Sequence, residues 1–203
     1  HRIIACCRKP TEAINLIQLA GVNKSIQIHP CDITDLDSIA GLYETIKNEK
    51  IDILIGNAGI QGVARQRFDQ MSVDTLMQVF KINVCGTLMV YQKLLNLVLN
   101  SQDKLIVAIS SKVGSITENE AGMAYSYRAS KAALNATMKS LSIDYKDQGL
   151  RVVVFHPGHV KTDMGGENAP ITVEDSISGM KNIIKDLKTT GCFYDNFGET
   201  IAW

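Results

Sequence analysis

Three stretches of this chain, residues 51–57 (IDILIGN), 104–110 (KLIVAIS) and 151–156 (RVVVFH), are apolar almost without a break. A strand with one face in water alternates polar with apolar residues. Unbroken apolar runs therefore mark strands covered on both faces, the condition of a parallel sheet flanked by helices. Residues 2–7 and 25–29 read as two more strands. Parallel strands need long crossovers, usually helical, and segments 11–20, 35–48, 72–99 and 125–146 supply them. Asp35 and Ser72 stand where their side chains can accept hydrogen bonds from the free N–H groups of a first helical turn. A further helix over 173–188 and a tail over 193–203 with an edge strand complete the chain.

Strand and helix alternate in order, which specifies an α/β fold with a doubly wound parallel sheet of the Rossmann type, in a single domain over residues 1–203. Nucleotide-binding folds of this kind open with a strand, a glycine-rich turn and a helix N-terminus that receives the pyrophosphate. No G-x-G-x-x-G string occurs here, and HRIIACC reads as the second strand. The domain is thus expected to be N-terminally incomplete, its first βα unit of about two dozen residues lying ahead of His1. A fold that needs no such unit is the alternative.

Twenty-one basic residues balance twenty-one acidic ones, which removes any general attraction to nucleic acid or an anionic membrane. The expected partner is a small molecule, with no nucleic acid and no membrane. No unbroken apolar run approaches the roughly 18 residues of a membrane span, and HRIIACCRKP lacks a signal-peptide layout. The five cysteines, Cys6, Cys7, Cys31, Cys85 and Cys192, lack C-x-x-C spacing and mostly adjoin apolar segments. They read as free, buried thiols in a reducing compartment, the cytoplasm.

The strongest chemical signal is YRASK. It sets Tyr127 and Lys131 four apart on a helix, hence on one face. An ammonium beside a phenol favours the phenolate and brings a group that ordinarily titrates near 10 closer to neutrality. The same spacing recurs on solvated helix faces, so by itself it does not separate catalysis from chance. Upstream, KLIVAIS ends in Ser110-Ser111 at the carboxyl end of a central strand, where ligands of open α/β sheets bind; a turn or cap serine is the plainer reading. Asn57-Ala58-Gly59 ends another buried strand in small residues that admit a bulky ligand or simply make a turn. Asn83 sits inside a long helical segment where Asn disturbs the backbone ladder or merely faces water.

Taken together, Asn57-Ala58-Gly59, Asn83, Ser111, Tyr127-x-x-x-Lys131 and Pro157-Gly158 resemble the short-chain dehydrogenase/reductase family in residue type, order and spacing, from the second strand to the C-terminus. SKVGSITENEAGMAYSYRASKAALN, HPGHVKTDMGGENAPIT and GETIAW are most similar to the carbonyl reductases of the sniffer and C-factor group. The resemblance implies that Tyr127 is the general acid, that Lys131 lowers its pKa and holds the nicotinamide ribose, that Ser111 positions the carbonyl, and that Asn83 supports a proton-relay water. Tyr125 competes with Tyr127 but has Ala129 four residues on; Ser110 competes with Ser111, which gives the family's Ser-x-x-Gly reading with Gly114. Cofactor contacts are implied for Asp32 and Ile33, for Asn57, Ala58 and Gly59, for Tyr127 and Lys131, and for Pro157, Gly158, Val160 and Thr162. Asp32 could equally cap the next helix, and Gly165-Gly166 could hinge a substrate lid or sit in an ordinary loop.

The second strand ends Cys6-Cys7-Arg8-Lys9, with no carboxylate for a ribose 2′-hydroxyl and two cations for a 2′-phosphate. Arg8 as a phosphate ligand makes NADP(H) the expected cofactor, with NAD(H) the alternative if these are solvated turn residues. The expected function is hydride transfer between NADP(H) and a carbonyl or alcohol, as a carbonyl reductase. The rival is a non-catalytic nucleotide-binding protein of signalling or interaction on the same fold. The resemblance also implies that the helices around Asn83 and Tyr127 pair subunits of a homodimer or homotetramer; Leu76, Val79, Phe80, Leu88 and Tyr91 give one of them the apolar surface for it, or serve only the internal core. His29, His156 and His159 lack clustered spacing, so no metal is expected.

Overall fold

The computed structural model describes residues 1–203 and contains six strands and six α-helices in alternation. Strand β1 (Ile3–Cys7) leads to α1 (Ile14–Val22), β2 (Ile26–Pro30), α2 (Leu36–Ile46) and β3 (Ile53–Gly56). Then follow α3 (Val73–Phe80), α4 (Thr87–Leu99), β4 (Leu105–Ile109), α5 (Tyr125–Asp144), β5 (Arg151–His156), α6 (Val173–Asp186) and β6 (Cys192–Asp195). Asp35 caps α2 by accepting from the N–H groups of Asp37 and Ser38, and Ser72 caps α3 through the N–H of Thr75.

Every pairing between these strands is parallel. Leu105 on β4 aligns with Ile53 on one side and Arg151 on the other, and Phe193 on β6 aligns with Val154. Because side chains alternate across a strand, β4 and β5 feed two cores. Ile106, Ala108, Val152 and Val154 pack under Tyr91 and Val98 of α4 and Leu134 and Met138 of α5. Leu105, Val107, Val153 and Phe155 face the opposite way, against Leu187, Met180, Ile183 and Ile184. At about 1.5 to 3 kcal/mol per buried aliphatic side chain, these two layers hold the central strands and fix the carboxyl ends from which the site is built.

The sheet is in two pieces. β1 pairs with β2 alone, and β3 is the outer strand of the β3-β4-β5-β6 sheet. Ile3 on β1 and Ile53 and Ile55 on β3 are exposed, as are Ile14, Ile17 and Leu19 on α1, a helix with no buried residue.

Residues 72–99 do not form one regular helix. Lys81–Gly86 winds as a π-helical turn between α3 and α4, with Asn83 buried at its centre. The span Val73–Leu99 reaches a mean hydropathy of 1.3 over an 18-residue window and has the length of a membrane span, a feature that a search for unbroken apolar runs overlooks because Lys81, Asn83 and Lys93 interrupt it. In this fold Tyr91, Leu94, Leu97 and Val98 of that span lie in the protein core. Val79 and Tyr91 are likewise consumed internally. All five cysteines are free, yet only Cys31 is buried; Cys6 and Cys85 are exposed, and Cys7 and Cys192 are intermediate.

Candidate functional site

Alternation at the end of β4 separates the two serines. Ser110 turns inward, and its hydroxyl donates to Asn135 Oδ1 at 2.6 Å. Ser111 turns outward and half-buried; its Oγ accepts from Val113 N–H at 3.4 Å and lies beside the Tyr127 phenol. Tyr127 and Lys131 face this strand end from the first turns of α5. The Lys131 ammonium is 5.7 Å from the Tyr127 ring centre and donates to the Ile109 carbonyl at 2.9 Å. One such bond leaves two of its N–H donors unused. Tyr125 instead points outward and meets Phe68 edge to face at 5.5 Å.

Burial sets the titration of both groups. It holds the Lys131 ammonium down to about 8, because the charged form is poorly solvated there. It pushes the Tyr127 phenol up, against a smaller downward pull from the Ser111 hydroxyl. The phenol is therefore protonated at neutral pH, the state required of a proton donor.

Asn83 ties three elements together. Its Oδ1 accepts from Ile60 N–H at 2.8 Å, and its Nδ2 donates to the Ile60 carbonyl at 2.8 Å and to Ser130 Oγ at 3.0 Å. Ser130 in turn donates to the Tyr127 carbonyl at 2.8 Å. Gly59 lies directly over this junction: a Cβ there would stand 3.3 Å from Asn83 Oδ1 and 3.5 Å from Lys131 Nζ. Asn57 and Ala58, just before it, are exposed. The π turn is also packed tightly on the loop after β2, since a Cβ on Gly86 would come within 2.6 Å of the Ile33 carbonyl.

At the other end of the site, Asp32 accepts from Thr34 N–H and Oγ1, both at 2.8 Å, and these bonds, with Arg8 and Lys81 nearby, hold its carboxyl below the usual range. Capping of α2 falls to Asp35, not Asp32. Arg8 is exposed and makes no ion pair. After β5, the Pro157 carbonyl accepts from Ser176 Oγ at 2.6 Å, Gly158 follows, and Val160 bridges to Ile171. Thr162 spends its hydroxyl on a local turn, donating to the Val160 carbonyl and accepting from Gly165 N–H. That turn carries Met164 to the mouth of the site, where the Tyr127 hydroxyl donates to its sulfur at 3.9 Å.

Sequence reasoning passed over Met164 and Gln66. Gln66 is 1% exposed and sits sixty residues before the helix that it contacts. Its partners are set by a loop path that no local pattern encodes. The residues before α5 are bent as well: Met123 (φ 55°) and Ala124 (φ 49°) are left-handed, a conformation that costs about 1 to 3 kcal/mol per non-glycine residue and persists where surrounding contacts enforce it.

A family model for short chain dehydrogenase matches residues 1–171. The chain belongs to that family and is an oxidoreductase of its parallel-sheet fold. C-signal of Myxococcus xanthus is 37% identical over 155 residues, which cover 75% of this chain and 93% of that protein. Among solved structures, the NADPH-bound carbonyl reductase from chicken fatty liver superposes with a TM-score of 0.90 at 33% identity, covering 98% of this chain and 87% of that one. Carbonyl reductase Sniffer of D. melanogaster gives a TM-score of 0.90 at 32% identity with the same coverage. Within the family the likeness is to the sniffer-type carbonyl reductases, the group that the residues around Tyr127 and after His156 resemble.

Proposed function

We propose that this protein is an NADP(H)-dependent carbonyl reductase in which Tyr127 is the proton donor, Ser111 holds the carbonyl oxygen, Lys131 binds the ribose and supports the phenol, and Asn83 orders the loop and helix around them. The observation that carries this reading is the convergence of the Ser111 hydroxyl, the protonated Tyr127 phenol and the buried Lys131 ammonium at the carboxyl ends of β4 and β3. Ligands of open α/β sheets bind at such ends.

The groups present suit a nicotinamide nucleotide. Lys131 has N–H donors to spare, Gly59 admits a close approach, Asn57 and Ala58 are open, and Arg8 is a free cation near Asp32 for a 2′-phosphate, with NAD(H) the alternative if Arg8 stays solvated. Ile33, Pro157, Gly158, Val160 and Thr162 are assigned to the same surface. When bound, the nicotinamide supplies or accepts the hydride. The protein's own part is to fix the carbonyl oxygen between Ser111 and Tyr127 and to pass the phenol proton to that oxygen. The Lys131 charge stabilises the phenolate so formed.

We further assign residues 1–203 to one domain whose β1 and β3 edges accept a preceding βα unit of the same chain; the exposed isoleucines on both strands support this. A groove of about 410 Å³ between α4 and α5, lined by Leu88, Leu95, Leu141 and Tyr145 among others, supports a homodimer or homotetramer. The free thiols fit a cytoplasmic setting.

The test is NADPH and NADH binding by thermal shift, with turnover on a panel of small aldehydes and ketones, for the wild type and Tyr127→Phe. NADPH-dependent reduction abolished by Tyr127→Phe is the expected result. The likeness to C-signal favours a second reading, a nucleotide-binding signalling protein; binding without turnover on the whole panel would select it.

A further inference from the structure

We infer that Gln66 is a positioning residue for Tyr127, acting by clamping the first turn of α5 to the loop that follows β3. The inference rests on the reading of Tyr127 as the proton donor. Gln66 is a fully buried polar side chain on an otherwise exposed loop. Its Oε1 accepts from Ser126 N–H at 3.0 Å and from Ser126 Oγ at 2.8 Å, while its backbone carbonyl accepts from Ala124 N–H at 2.8 Å. One residue thus satisfies two of the N–H groups around the start of α5, those of Ala124 and Ser126, together with the Ser126 hydroxyl.

The placement matters because of what surrounds it. Gly122, Met123 and Ala124 are consecutive left-handed residues leading into the helix, and Arg128 ties down the Gly122, Met123 and Val113 carbonyls. Ser126 immediately precedes Tyr127. The same loop is pinned at its near end by Ile60 to Asn83, and Gln66 pins it to the residue directly before Tyr127. The amide Nε2 of Gln66 has no partner. Only its oxygen is used, so a carboxylate keeps both acceptor contacts, and the helix N-terminus offsets part of the cost of burying its charge.

This makes Gln66→Glu and Gln66→Leu an informative pair. With 13Cζ-labelled tyrosine, the Tyr127 resonance, identified by its loss in Tyr127→Phe, is expected to move in Gln66→Leu and to return to its wild-type position in Gln66→Glu. In turnover, Gln66→Leu is expected to lower kcat at least tenfold with KM for NADPH within about twofold, and Gln66→Glu to keep at least half of wild-type kcat. If Gln66→Leu does not fold, Ser126→Ala, which removes one of the two Oε1 bonds, is expected to move the resonance away from its wild-type position. An unmoved resonance in Gln66→Leu, or in Ser126→Ala where that variant stands in, overturns the inference, as does a Gln66→Glu variant no better than Gln66→Leu. A moved and rescued resonance in a protein whose wild type reduces no carbonyl would overturn the proposed reaction and leave the clamp standing.

Discussion

Lys131 places its ammonium 5.7 Å from the centre of the Tyr127 ring and anchors it on the Ile109 carbonyl at 2.9 Å. The spacing of YRASK anticipates this approach. What it does not convey is that burial, more than the neighbouring charge, sets both pKa values. Tyr127 is pushed up and Lys131 down to about 8, which prepares an acid instead of a standing phenolate.

Keeping Lys131 in this position costs stability at neutral pH. Below about 8 the lysine is charged in both folded and unfolded chains, and the folded chain bears the full cost of desolvation. Between about 8 and 10.5 the folded chain releases the proton first, so stability rises with pH through that window. At 1.36 kcal/mol per pH unit, the cost at pH 7 is about 3 kcal/mol. Lys131→Met is therefore expected to raise the unfolding free energy at pH 7 by about 2 kcal/mol, after loss of the Ile109 bond. Urea titrations at pH 7, 9 and 10.5 should show this advantage disappearing as the pH rises.

His156 should govern the acid side. Burial holds it down to about 4 from 6.5, with Lys112 and His159 adding to the effect and Asp195 opposing it. The unfolded chain binds the proton first as pH falls below 6.5, so stability is full above 6.5 and drops by about 3 kcal/mol on the way to 4. His156→Gln is expected to flatten that part of the profile, read by thermal melts at pH 7, 5.5 and 4.5.

Asn83→Ala removes three hydrogen bonds and leaves the N–H and C=O of Ile60 without their partner. A loss of about 3 kcal/mol in urea unfolding is expected, together with faster amide exchange over residues 59–62. Cys85→Ser, on the exposed side of the same π turn, should stay within about 0.5 kcal/mol of wild type.

Arg8→Asp exchanges the proposed phosphate partner for a repelling carboxylate near Asp32. With charged hydrogen bonds worth about 1.5 to 3 kcal/mol, the Kd for NADPH should rise at least tenfold while that for NADH changes little. Isothermal titration with both nucleotides measures it, and equal losses for the two would remove Arg8 from the phosphate site.

By itself the sequence determined the strand and helix order and the parallel sheet, because periodicity, caps and turn signals are local and leave a local trace, while Tyr127, Lys131 and Ser111 stood out only through their joint resemblance to a family pattern. Asp35 and Ser72 are caps that could be read from residue type and place alone. The tertiary structure decided what depends on residues far apart in the chain. It turned Ser110 into the core and Ser111 outward beside the Tyr127 phenol, turned the helix at Asn83 into a π turn, brought Met164 to the Tyr127 hydroxyl, and buried Gln66 beneath the start of α5. Contacts of this kind follow from packing and from the need to satisfy buried polar groups. Burial also fixed the two pKa values, since desolvation belongs to the folded surroundings of a side chain and not to its identity.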